Sequence, residues 1–243
     1  GRNGIELSYL NPIMFYRAME MQLGSGNSKA TIGIDVKSNL LKTLQLYGNL
    51  VIGEFVFKDL KNYGSGSWLN KQALQVGGKY IDVLGVKNLD LQAEVNIIRP
   101  FMYAHKDSST AFTHYNTELA HPLGANFREY IAVLKYQPFN KLYLTGKLMY
   151  NYRGLDSAGV NMGGNIFRSY DTRPRDYGFF IGTGVPVKSL LASFSASYEL
   201  LQNLFIDVSI ANRSYNVQGQ PKQSELSFST GVRWNIGKRE FEF

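Results

Sequence analysis

The residues best suited to chemistry in this chain are its three histidines, which fall within one short stretch. His105, His114 and His121 are nine and seven residues apart, and Asp107 and Glu118 lie beside them. Imidazole and carboxylate groups could bind a metal ion or form a proton-transfer dyad. These spacings, however, do not place two imidazoles at metal-ligand distance on one strand. We favour loop histidines, and we predict no metal, no cofactor and no catalytic residue.

Serine and glycine motifs also lack the neighbours that catalysis or phosphate binding needs. The serines in alternating apolar segments are Ser195, Ser197, Ser227 and Ser229. No histidine lies in those segments to activate a hydroxyl. The glycine pairs at Gly24 and Gly163 precede no helix start, so they indicate turns rather than phosphate-binding loops. We therefore expect a protein that is not an enzyme, with an outer-membrane hydrolase as a distant alternative.

Arginines and their polar neighbours form the remaining candidate site, at the rim or in the lumen of the predicted fold. Its members are Arg99, His121, Asn126, Arg128, Glu129, Arg173 and Arg175. For the arginines within strands or at strand ends we favour ion pairs with nearby carboxylates. These arginines are Arg17, Arg99, Arg128, Arg153 and Arg213, and the carboxylates are Glu20, Glu94, Glu129 and Asp207. Binding of an acidic glycan is the alternative, because guanidinium groups form paired hydrogen bonds with carboxylates.

The elements that must position these residues are long strands, since apolar and polar residues alternate along most of the chain. The clearest segments cover residues 30–37, 89–97, 142–153, 192–200, 204–210 and 226–236. Many are near ten residues, which is the length of a tilted strand that crosses a bilayer. We predict about a dozen strands, and their length separates this pattern from that of a soluble sandwich.

The alternation also predicts two faces of opposite character. The residues expected to face lipid are Ile32, Ile34, Leu89, Leu91, Leu144, Leu148, Ile206 and Val208. The residues expected to face a hydrated lumen are Asp35, Lys37, Glu94, Lys147 and Asp207. The reason is that a lysine on the lipid face at mid-bilayer costs about 2–4 kcal/mol.

Connections between the strands are predicted in two sizes. Short turns are expected at 39–42, 85–88, 138–141, 186–189 and 201–203, and longer segments at 58–70, 105–126, 154–174 and 214–224. Short periplasmic turns and longer outer loops are typical of outer-membrane barrels. The turns at 186–189 and 201–203 break this alternation, because no long loop separates them. The segments 105–126 and 154–174 are apolar enough that we expect them to fold onto a rim or into the lumen.

Composition agrees with this fold and narrows the partners. The chain has 243 residues, 14% aromatic residues and no cysteine, and carries a net charge of +7. No run of about 18 apolar residues is present, so a transmembrane helix is not expected. The dispersed basic residues argue against nucleic acid. The expected partners are outer-membrane lipid and lipopolysaccharide, other outer-membrane or surface proteins, and an acidic polysaccharide.

The two ends of the sequence carry further expectations. The alternation starts almost at once, at Ile5, Leu7 and Tyr9, without a signal peptide. The chain ends on Phe243 with Phe241 before it, which resembles the aromatic final strand of outer-membrane barrels. We therefore predict one domain over residues 1–243, an all-β antiparallel transmembrane barrel of the bacterial outer membrane. We expect it to be a C-terminal portion that further strands must close.

Several phrases of the sequence, taken in order, resemble one family. They are Leu10–Glu20, Gly24–Asn27, Leu46–Leu50, Gly53–Phe55, Trp68–Gln72, Glu94–Asn96, Arg99–Pro100, Leu119–Glu129, Gly163–Phe167 and Ser169–Gly178. Together they look like the C-terminal half of the Bacteroidota outer-membrane family that includes the gliding-motility protein RemB, which is reminiscent of Wzi-type capsule-assembly barrels. The resemblance implies a subunit of a machine for gliding, secretion or surface-polysaccharide assembly. The alternative is a diffusion pore or glycan transporter.

Overall fold

A computed structural model describes residues 31–54, 63–107 and 111–235 of the chain. Most of these residues form one antiparallel sheet of nine strands. The strands are β1 (Ile32–Leu40), β2 (Leu44–Glu54), β3 (Lys71–Tyr80), β4 (Leu89–Ile98), β5 (Thr113–His114), β6 (Thr117–Glu118), β7 (Phe127–Phe139), β8 (Leu142–Leu155), β9 (Val185–Leu201), β10 (Leu204–Val217) and β11 (Gln223–Trp234). Strands β5 and β6 form a separate hairpin, and short 3-10 helices cover Tyr63–Ser65, Val83–Gly85 and Tyr170–Thr172.

The predicted antiparallel all-β class is confirmed. The described residues form eleven strands, nine in the large sheet and two in the hairpin, against a prediction of about a dozen for the whole chain. In the described ranges, β1 and β11 are the edges of the sheet and do not pair with each other. The predicted strand near Ile5 and the terminal Phe243 lie outside those ranges. Among the helices that the structure describes, none is both long and apolar enough to cross a membrane.

The register places the two predicted sets of residues on opposite faces of the sheet, because directly paired residues share a face. Ile34 pairs with Leu50, whereas Asp35 pairs with Asn49. We call the first side the apolar face: it carries the odd-numbered residues of β4 and the even-numbered residues of the other eight strands, apart from residues beyond a β-bulge. Such a bulge follows Ile52 in β2, so Glu54 pairs with Lys71 and belongs to the polar face. The polar face is the opposite side. The predicted segregation of apolar and charged residues is therefore confirmed.

The two ends of the sheet differ in their connections. Residues 41–43, 81–88, 140–141 and 202–203 make short connections at one end, which we call the turn end. The long connections 99–126 and 156–184 lie at the other end, the loop end. Both long connections therefore fall at the loop end, which also holds the five-residue connection 218–222 between β10 and β11, whereas the turn end has short connections alone among the described residues.

Two of the predicted connections are wrong. Residues 186–189 belong to β9, where Pro186 pairs with Gly154 as the second residue of the strand. Proline is tolerated near the start of a strand, where a missing N–H need not break the ladder. With this turn removed, the sequence-level break in alternation disappears. The predicted segment 214–224 shrinks to 218–222, because the pairing of β10 with β11 extends to Tyr215 and Gln223.

The long connections fold back over the loop end of the polar face. Met102, Tyr103 and Ile166 from these connections pack against Ala73, Ile98 and Phe127 of the strands. Burial raises the pKa of the Tyr103 hydroxyl to about 12. The prediction that these segments fold onto the sheet is confirmed for their described residues. We call residues 63–70, 99–107, 111–126 and 156–184 the loop cap.

Candidate functional site

Asn126 joins two segments of the loop cap to each other and to the end of β8. Its side-chain amide donates to the carbonyl oxygens of Thr183 at 2.8 Å and Gly154 at 3.1 Å. The amide oxygen accepts the N–H of Gly182 at 2.8 Å. The residue is fully buried and left-handed, with φ of 61°, a conformation that asparagine tolerates better than most residues. Asn126 therefore acts as a structural hub rather than as a ligand-binding group.

A second cluster surrounds Lys71, a lysine with no exposed surface. Its ammonium group lies 2.9 Å from the carboxylate of Glu54 and 4.2 Å from the ring centre of Tyr170. Trp68 packs 5.0 Å from Tyr170 and also faces the lysine. Burial, followed by the carboxylate of Glu54, raises the pKa of the Tyr170 hydroxyl. The lysine charge is thus compensated by one carboxylate and two neutral aromatic rings.

A hydrogen-bond network lies along the polar face. Tyr47 donates to Glu94 at 2.6 Å, and Asn96 donates to Glu94 at 2.9 Å and to Glu129 at 3.4 Å. The other end of the network is His121, whose Nε2 lies 3.1 Å from Glu129. Four elements are therefore connected by polar side chains: β2, β4, β7 and the loop cap.

A glycine allows the Tyr47 ring to take its place in this network. Gly77 pairs with both Tyr47 and Glu94 across β3. A Cβ added at Gly77 would overlap the Tyr47 ring. The ring lies over the bare glycine backbone, so its hydroxyl reaches the neighbouring strand.

The structure divides the predicted site residues into three groups. His121 and Glu129 belong to the polar network, and Asn126 is the hub described above. The second group, Arg99, Arg173 and Arg175, surrounds the aromatic cluster of Trp68, Phe101 and Phe179. Arg128 is separate, because it projects from the apolar face. The seven residues are therefore not one binding site.

The arginines of the second group are engaged in the loop cap itself. Arg173 lies 3.8 Å from the ring centre of Trp68 and 2.8 Å from a carboxylate oxygen of Asp176. Arg99 donates to the carbonyl oxygens of Ser67 and Phe179 at 3.4 and 3.3 Å. These contacts make the arginines parts of the cap. The ion pairs of Arg173 are with Asp171 and Asp176, which were not among the predicted carboxylates. Asp207, which was, pairs with Arg233.

The three histidines have different surroundings and do not converge. His105 is buried beside Tyr170, with ring centres 5.7 Å apart, whereas His114 is exposed on the hairpin. His121 is half-buried against Phe127. Over residues 31–54, 63–107 and 111–235, no group of three acidic or histidine side chains could hold a metal ion.

Sequence reasoning missed Lys71, Trp68 and Glu54, although they are central to the cap. The available signal was a lysine three residues after Trp68, but such a pattern is more often a solvated strand end. The comparisons add no information about the site. No protein-family model matches the chain. No curated protein matches it either.

Proposed function

We propose that the chain forms part of a transmembrane β-barrel of the bacterial outer membrane and serves there, without enzymatic activity, as a subunit of a cell-surface machine. The observation that most supports this proposal is the apolar face, which is exposed across nine strands. On β9 the run from Leu190 to Tyr198 covers eight residue steps, or about 27 Å of strand. At the usual barrel tilt this corresponds to a band about 20 Å tall, near the height of a barrel's lipid-facing band.

Aromatic residues at both ends of this band support the same proposal. At the loop end, Tyr130 and Tyr150 stack with ring centres 6.3 Å apart. At the turn end, Tyr136, Tyr198 and Trp234 occupy the apolar face. Two aromatic girdles at the membrane interfaces are typical of outer-membrane barrels.

The loop cap favours a partner subunit over an open pore. It covers the loop end of the polar face with a packed core and with the buried hub at Asn126. Such a cover would obstruct diffusion through a lumen bounded by that face. A barrel with this construction is better suited to present a surface than to conduct solutes.

The hairpin of β5 and β6 provides a surface for a protein partner. Tyr115 at its tip is 90% exposed, and Phe112 and Leu119 flank it with 43% and 54% exposure. Tyr115 and Asn116 both have positive φ, which defines a tight two-residue turn. Exposed aromatic and aliphatic side chains on a fixed hairpin are suited to act as anchors at a protein interface.

Photo-crosslinking in cells tests the partner function. A photoreactive amino acid replaces Tyr115 in one variant, and Leu84, 87% exposed at the turn end, in a matched control. We expect a discrete crosslinked protein from position 115 and none of the same mass from position 84. The same partner at both positions, or no crosslink at 115, would contradict the proposal.

A diffusion pore or glycan transporter is the second candidate, and one observation favours it. The polar face of β1 to β4 has a cavity of about 480 Å³ whose lining includes Asp35, Lys37 and Gln75. Planar-bilayer recording with the purified full chain separates the two candidates. Steady conductance supports the pore, whereas silence supports the capped subunit. The resemblance to gliding and capsule-assembly proteins remains a prediction about which machine is involved.

A further inference from the structure

Only two charged residues share the apolar face in the nine strands that the structure describes, Arg128 and Lys188. Both are exposed, and both lie at the loop end. No carboxylate lies on this face in the same strands. Two cations at one edge of an otherwise uncharged face create a local positive potential that no residue of this face neutralises.

These two cations belong to one cross-strand row. Arg128 pairs with Tyr152, Tyr152 pairs with Lys188, and Lys188 pairs with Asn216. Neighbouring strands lie about 4.8 Å apart, so the two cationic residues are about 10 Å apart at their backbones. Their long side chains can therefore reach a single anion above Tyr152. The guanidinium of Arg128 already lies 5.0 Å from the Tyr152 ring centre, which holds it along the row.

A recess surrounds this row. It has a volume of about 470 Å³, and its lining consists of Arg128, Tyr150, Tyr152, Pro186, Lys188, Asn216 and Gln218. The amide side chains of Asn216 and Gln218 add neutral donors to the two cations. The recess thus combines charge, hydrogen-bond donors and aromatic rings, which suits a phosphate group on a sugar or glycerol.

An apolar groove lies directly below the recess on the same strands. It has a volume of about 530 Å³, and Ala132, Gly146, Ala192 and Phe194 contribute to its wall. The groove exists because three of these side chains are small or absent. On β9 it begins four residues beyond Lys188, or about 13 Å along the strand. A headgroup in the recess would therefore place acyl chains in the groove.

We propose that this surface binds an outer-leaflet glycolipid that carries phosphate, of the lipid A type, with its phosphate between Arg128 and Lys188. The inference rests on the proposed barrel function, which would set the apolar face in lipid. Guanidinium and ammonium groups both form charge-assisted hydrogen bonds with phosphate oxygens. The site would fix the lipid and, through Tyr152, which packs against Gly182 of the loop cap, link it to the cap.

Native mass spectrometry tests this site on the full chain in phosphatidylcholine nanodiscs. The titrated probe is lipid A with two phosphates, and the test variant is R128Q/K188Q. The matched control is K37Q/K135Q, which removes two exposed lysines from the polar face of β1 and β7. We expect the test variant to bind lipid A at least about tenfold more weakly, as loss of two charge-assisted contacts predicts, and the control to bind like the unaltered chain.

Two further titrations allow the lipid site to be tested even if the double variant does not fold. If R128Q/K188Q does not fold, the unaltered chain is titrated with lipid A that lacks phosphate, which must bind about tenfold more weakly. Inorganic phosphate must not displace the bound lipid; displacement would contradict a lipid site. Equal binding by both double variants would overturn the inference. Incorporation of the chain into nanodiscs is measured in the same samples. If the chain incorporates but does not prefer lipid A, the lipid site is contradicted and the barrel is not. If the chain fails to incorporate, the proposed barrel is contradicted as well.

Discussion

The two faces of the sheet are built from the same strands but are completed in different ways. The apolar face repeats one simple pattern on every strand and has exposed side chains such as Ile34 and Phe194. The polar face changes along its length, from exposed charges at the turn end to the buried hub Asn126 at the loop end. The structure of the apolar face thus depends on the strands alone, whereas the structure of the polar face also depends on loops that are distant in sequence. Changes on the two faces should therefore have different consequences.

The largest expected effect is loss of the hub. N126A would leave the Gly182 N–H and two carbonyl groups without their side-chain partner and would place alanine at φ of 61°. We expect the loop cap to lose about 3–5 kcal/mol of local stability. Hydrogen–deuterium exchange should show lost protection in residues 156–184. N126G separates the causes, because it keeps the backbone conformation but lacks the amide; full protection in N126G would contradict the hub.

Substituting a lysine on one face or the other tests directly whether the two faces lie in different environments. A192K places the charge on the apolar face, and S193K places it on the polar face one residue away. In the proposed barrel, A192K should lower the free energy of unfolding by about 2–4 kcal/mol, because a charge on the lipid side is costly. S193K should change it by less than about 1 kcal/mol. Urea titration in lipid vesicles measures both, and equal effects would mean that the faces do not differ in environment.

The Lys71 cluster tests how strongly the cap depends on buried charge. K71M leaves the Glu54 carboxylate, 22% exposed, without its cation. We expect a loss of about 2–3 kcal/mol in cap stability. The double variant K71M/E54Q removes the unpaired charge and should recover part of that loss. Protease sensitivity of the cap reports both variants. Independent, additive effects would show that the two residues are not coupled.

The smallest effect concerns the network on the polar face. Y47F removes the hydroxyl that donates to Glu94 at 2.6 Å but keeps the ring over Gly77. We expect a loss of about 1 kcal/mol, since the network is only partly buried. G77A, which displaces the ring, should cost more than Y47F. The reverse order in urea titrations would indicate that the ring position does not matter.

Prediction from sequence was successful where local pattern decides structure. The period-two alternation at Ile32–Lys37 and Leu89–Asn96 identified both faces, because strand side chains alternate regardless of what covers them. It was wrong at Pro186, where turn chemistry suggested a break but cross-strand pairing with Gly154 continues β9.

The candidate site could be predicted only in part. His121 and Glu129 meet although eight residues separate them, and nothing in the alternation indicates that contact. The partners of Asn126 lie 28 residues away, at the end of β8, and 57 residues away, in a loop whose folding depends on tertiary packing. Arg128 was grouped with Glu129, yet neighbouring strand residues point to opposite faces. The pairing of Arg128 with Tyr152 could be identified only from the register of β7 against β8.

The central claim, that the apolar face contacts lipid, can be tested directly because the chain contains no cysteine. Single cysteines introduced at each position from Leu190 to Ser197 carry a nitroxide label, in the full chain reconstituted in vesicles. Electron paramagnetic resonance then compares collisions with oxygen, which concentrates in lipid, and with a water-soluble nickel chelate. The account predicts strict alternation, with oxygen access at Leu190, Ala192, Phe194 and Ala196 and nickel access or burial at the intervening serines and Leu191. Nickel access at both sets of positions would contradict it.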